Sequence, residues 1–101
     1  MATQKIIAVR DRAVAAFNRP IFVNSLGQAT RMFRDEINRA PTPGNDNIMY
    51  QHPEDFDLYD LGAWDEETGK FSMLEVPRQI AIGKDMKEDK LAIVEEGYKL
   101  I

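Results

Sequence analysis

Apolar positions along this chain alternate between two spacings, and the switches between them predict the elements. Lys5 to Asp11 contains the β-branched run Ile6-Ile7-Ala8-Val9, which predicts a strand; its lack of clean alternation implies cover on both faces. Between Arg12 and Val23, Pro20 removes a backbone donor from Phe17-Asn18-Arg19-Pro20-Ile21-Phe22-Val23, so an irregular or edge segment is expected there. From about Ser25 to Arg39 the period becomes helical. Leu26, Ala29, Phe33, Ile37 and Ala40 fall on one stripe, with Asn24 or Ser25 as the cap. Arg31, Arg34 and Asn38 share a narrow arc beside that stripe. Pro41 to Asn47, rich in Pro, Gly and Asn, ends the helix as a surface loop. His52-Pro53-Glu54-Asp55 predicts a turn or a single helical turn, with Pro53 at its first position.

Period two returns after this turn. Asp57 to Trp64 predicts a strand, Asp65 to Gly69 a reversal with Gly69 at positive φ, and Lys70 to Val76 the returning strand. Pro77 is expected to end regular pairing, and Gln79 to Ile82 to add a short extra strand before Gly83. Asp85 to Ile101 carries Leu91, Val94, Tyr98 and Ile101 at helical spacing and predicts a terminal helix. That helix is expected to be mobile or to lie at a dimer interface, and Gly97 inside it costs about 1 kcal/mol relative to Ala. The expected architecture is one α+β domain over residues 1–101: a small antiparallel sheet of three or four strands, a helix packed on one face, and a C-terminal helix.

Composition narrows the class. Apolar residues make up 44% of 101 positions, enough for one core and too many for a disordered chain. No Cys is present, which excludes disulfides and thiolate metal sites. No apolar run reaches the roughly 20 residues of a membrane helix and no signal-peptide pattern opens the chain, so a soluble intracellular protein is expected. Net charge is −4, but it is uneven. Residues 1–40 hold seven basic and three acidic groups, while residues 41–101 hold six basic and fourteen acidic ones. The basic groups of the first part are nearly all Arg, which suits bidentate contact with phosphate, carboxylate or bases. The alternative is that the two halves neutralise one another within the fold or across a dimer.

One set of motifs resembles a known family. Tyr50-x-His52-Pro53-Glu54-Asp55-Phe56-x-Leu58-Tyr59-x-Leu61-Gly62-x-x-Asp65 is similar to a pattern in the small nonstructural protein of gokushovirus-type microviruses, phages with circular single-stranded DNA. Ala8-Val9-Arg10-Asp11-Arg12 and Phe17-Asn18-Arg19-Pro20 precede it, so the resemblance runs from about Lys5 to about Asp85. It implies DNA binding during viral genome replication, including the switch to single-strand synthesis. It implies action in the host cell cytoplasm rather than in the virion. It brings no catalytic residues.

The chemistry in the sequence points the same way. One His, no Cys and scattered glycines leave no nucleophile–base pair, metal set or phosphate loop, so no enzyme, cofactor or metal is expected. His52 reads as a turn residue. The acids Glu54, Asp55, Asp57, Asp60, Asp65, Glu66 and Glu67 lack calcium-loop spacing and read as a solvated hairpin face, or as a surface that repels DNA toward the Arg side. Candidate DNA contacts are Arg10, Arg12, Arg19, Arg31, Arg34, Asn38 and Arg39, with Phe17 and Phe22 interleaved. Exposed rings beside arginines suit unpaired bases better than a duplex, whereas buried rings would simply be core. A homodimer would double the footprint. The rival expectation is a protein-interaction module engaging a replication initiator, host factor or capsid precursor through Tyr50, Phe56, Tyr59 and Trp64.

Overall fold

The computed structural model describes residues 3–88. Its frame is an antiparallel sheet with helices on one side, an α+β fold. Strand β1 (Thr3–Asp11) and strand β4 (Phe56–Asp65) pair along most of their length, with Val9 opposite Leu58 and Arg10 opposite Asp57. Two short strands, β2 (Ala16–Phe17) and β3 (Ile21–Val23), share the other edge of β1. Asn18-Arg19-Pro20 separates them, so the edge is interrupted where the proline lacks a donor, as expected. Strand β5 (Phe71–Ile82) closes the far edge against β4.

Alternation then assigns two faces. Ile7 and Val9 on β1, with Leu58 on β4 and Ala81 on β5, look toward helix α1 (Leu26–Ile37). That helix contributes Ala29, Phe33 and Ile37, and Phe56 and Val23 complete the buried cluster. The predicted stripe therefore holds as far as Ile37, while Ala40 lies exposed past the helix end. Ser25 caps the helix by accepting the Gln28 N–H at 3.1 Å, and Gln28 Oε1 accepts the Asn24 N–H at 2.8 Å. At the other end, Asn38 donates to the carbonyls of Arg34 and Met86 and accepts from the Glu88 N–H.

Three local expectations change. A short helix α2 (Ile48–Gln51) precedes the 3-10 turn at Pro53–Asp55. The fully engaged Asn47 side chain starts it: Nδ2 donates to the Glu36 and Arg39 carbonyls, and Oδ1 accepts from Met49 and Tyr50. Second, β5 runs through Pro77 instead of stopping there. Between the pairs Gly62–Met73 and Asp60–Arg78, the four residues 74–77 face Leu61 alone, and this edge bulge absorbs the proline. Third, a short helix α3 (Gly83–Met86) follows β5 directly. Most of the predicted terminal helix 85–101, with its proposed mobility or dimer role, lies outside the described residues. The reversal has its expected chemistry: Asp65 N–H donates to the Lys70 carbonyl at 2.9 Å, and Gly69 has φ +75°.

Candidate nucleic-acid interface

The sheet face turned away from α1 carries the aromatic residues. On β1 this face holds Ile6, Ala8 and Arg10, the positions that alternate with Ile7 and Val9. Pairing brings Phe22 beside Ile6, Phe17 beside Arg10, Tyr59 beside Ala8, and Trp64 beside both Gln4 and Phe71. Phe17 and Tyr59 meet edge to face at 5.2 Å. Phe22 meets Trp64 at 5.6 Å and Phe71 at 6.3 Å, and Trp64 and Phe71 lie 6.4 Å apart. Ile6 and Ala8 are buried, but Phe17, Phe22 and Phe71 are 43%, 47% and 58% exposed. Rings this open, on a face that no helix covers among the described residues, are not core. They form a surface of about the right chemistry for stacking on unpaired bases.

Gly62 sits between the two ring groups, opposite Ile6 and Met73. Its φ is +149°, and a Cβ there would lie 2.5 Å from the Ser72 carbonyl and 2.7 Å from Met73 Cα. Only glycine lets β4 and β5 approach at this register shift.

Charge is placed unevenly around the rings. The Arg10 guanidinium stands 5.9 Å from the Phe17 ring centre. Arg12 grips the buried Asp57 with both Nε (2.7 Å) and Nη2 (3.1 Å). Its hydrogen bonds and charge attraction to Asp57 push the Arg12 pKa above its ordinary value, so it is permanently a cation. Buried Asp60 is held by Lys5 at 3.3 Å, Arg78 at 2.9 Å and the Gly62 N–H at 3.1 Å. These two buried carboxylates are compensated and belong to the scaffold. Arg10, Arg19, Arg31 and Arg34 are in no ion pair among the described residues.

The structure distributes the sequence candidates unequally. Arg10, Phe17 and Phe22 meet on the ring face, Arg12 stands at its end, and exposed Arg19 lies in the edge interruption. Arg31 and Arg34 are exposed on α1, on the other side of the sheet. Arg39 is bound to Glu36 by two hydrogen bonds, which raises its pKa, and Asn38 is consumed in the helix cap. Of the residues assigned to a protein partner, Tyr59 and Trp64 join the same ring face as Phe17 and Phe22. Tyr50 instead lies under the Lys87 ammonium at 3.2 Å, and Phe56 is 2% exposed in the core and offers no surface. Sequence reasoning placed Phe71 in neither set. The signal available was its position two residues past the reversal at Asp65 to Gly69, which sets it across from Trp64.

His52, Glu54 and Asp55 bring possible ligand atoms within 4.8 Å of one another on the 3-10 turn. His52 and Glu54 are exposed, with 3.8 Å between them, and acids in a first turn are already favoured by the helix dipole. No described helix is long and apolar enough to cross a membrane.

The Phage ORF5 protein family model matches residues 4–86, a span that includes every ring and cation of this face. No curated protein and no solved structure matches.

Proposed function

The chain belongs to the Phage ORF5 protein family, and on that premise we propose that it is a non-enzymatic phage protein that binds single-stranded DNA through the aromatic sheet face turned away from α1. The observation that carries this reading is the ring set of exposed Phe17, Phe22 and Phe71 with half-buried Tyr59 and Trp64, and Arg10 beside it. Each ring can stack on an unpaired base, worth about 1–3 kcal/mol per base, while Arg10, Arg12 and Arg19 attract the backbone. A duplex keeps its base faces covered, so unpaired strands are preferred. The resemblance of Tyr50 to Asp65 to motifs of gokushovirus-type microviruses extends the proposal to a nonstructural role in the host cytoplasm. There the protein would act in genome replication or in the switch to single-strand synthesis. Two chains acting together would double the ring surface.

The test is fluorescence anisotropy with labelled single-stranded and duplex DNA of equal length at several salt concentrations. Preference for the single strand, affinity falling with salt, and quenching of Trp64 support the reading. Absence of binding at low salt sinks it. The net charge of −4 favours a second reading, in which the same rings anchor a protein partner. In that case Trp64→Ala abolishes capture of the partner and DNA leaves the Trp64 fluorescence unchanged.

A further inference from the structure

The rings of the open face fall into two groups, and the charges at its two ends have opposite signs. Phe17 and Tyr59 sit beside Arg10 and Ala8, whereas Phe22 and Trp64 sit beside Ile6 and Gln4. The groups are therefore about four residues apart along β1, roughly 13 Å at the rise of a strand. Arg10 stands beside the first group and Arg12 beyond it, while exposed Arg19 lies on the β1 edge between the two groups. Asp57, which would oppose them, is buried and already neutralised by Arg12. Beyond the second group the chain turns through Asp65-Glu66-Glu67, with only Lys70 as a cation in the reversal. Glu66 and Glu67 are exposed, and none of these three acids is in an ion pair among the described residues.

We infer that each chain holds a bounded stretch of about four nucleotides, laid along β1 between the two ring groups, and that the acidic reversal at Asp65–Glu67 stops the strand at one end. The inference rests on the single-strand reading above. A stacked strand advances about 3.4 Å per nucleotide, so roughly 13 Å corresponds to about four such steps. Phosphates continuing past Trp64 and Phe71 would run into like charge within a Debye length of about 8 Å at physiological salt. The ligand class is thus a short unpaired stretch or a strand end, rather than a long strand tracked continuously.

The experiment titrates Trp64 fluorescence with dT4, dT8 and dT16 against the full chain and against Glu66→Lys with Glu67→Lys. Both substitutions lie on an exposed turn and leave the rings and the fold untouched. The expected result is that dT8 and dT16 bind no more than about threefold tighter than dT4, because nucleotides carried past the reversal meet its acids and gain no contact. The double substitution should strengthen dT16 binding roughly tenfold and leave dT4 within twofold. If the unaltered chain gains affinity steadily up to dT16, or if the substitutions strengthen dT4 as much as dT16, the bounded site is overturned while single-strand binding stands. If no oligonucleotide changes the fluorescence, the single-strand reading itself fails.

Discussion

Gly62 and Arg12 are the two residues whose replacement tests the frame of the ring face most directly. A Cβ at Gly62 would enter the Ser72 carbonyl and Met73 backbone at a φ that other residues rarely adopt. Gly62→Ala is therefore expected to cost about 2–4 kcal/mol, read as a lower urea midpoint with an unchanged slope. Arg12 is half exposed, but its partner Asp57 is 2% exposed. Removing the guanidinium strands a buried carboxylate, so Arg12→Met should lower the denaturation midpoint, and Arg12→Lys should restore part of the loss. The pH dependence has a definite sign. The Arg12 pKa is raised in the folded state, chiefly by its hydrogen bonds to Asp57, so its contribution is fully present below the ordinary arginine range and lost only as pH rises past it. Stability scans between pH 6 and pH 9 should show no titration from Arg12, and a transition there that disappears in Arg12→Met would contradict the assignment.

The elements differ in how firmly local sequence specifies them. Helix α1 has its stripe, its Ser25 cap and its Asn38 exit in consecutive sequence. Ser25→Ala should cost about 1 kcal/mol by thermal unfolding, through the lost bond to the Gln28 N–H. Ile37 is fully buried at the sheet contact, and Ile37→Ala should cost about 2–5 kcal/mol. By contrast α2 and the continuous β5 were not legible. Helix α2 depends on Asn47 finding the Glu36 and Arg39 carbonyls, which lie 11 and 8 residues earlier. The length of β5 depends on an edge position where Pro77 needs no partner.

At the scale of the fold, the two sides of the sheet differ: one packs against α1 and the other carries the rings. Sequence alone makes Arg31 and Arg34 look like the natural DNA patch, so their reversal to Glu would be expected to abolish binding. The fold puts both on the helix side, away from the rings. Arg31→Glu with Arg34→Glu is now expected to change single-strand affinity no more than about twofold at physiological salt, because exposed charges beyond a Debye length are screened. Arg10→Glu, beside Phe17, should weaken it roughly tenfold or more in the same anisotropy assay. Equal losses from both variants would move the interface to α1.

Four of the five rings were visible as candidates in the sequence, yet split between two rival surfaces: Phe17 and Phe22 for DNA, Tyr59 and Trp64 for a protein partner. What the sequence by itself determined were the features built from near neighbours: the α1 stripe and cap, the strands β1 and β4, the hairpin reversal and the turn at Pro53. These follow from spacing and from single-residue backbone preferences. The tertiary structure alone decided that the four rings share a face with Phe71, that Phe56 is core, and that the arginines divide between two sides. Each of those outcomes depends on strand register across long stretches of chain, as in Phe17 opposite Arg10 and Ala8 opposite Tyr59. A shift of one residue in that pairing would turn every ring to the other face, so no local pattern can specify it.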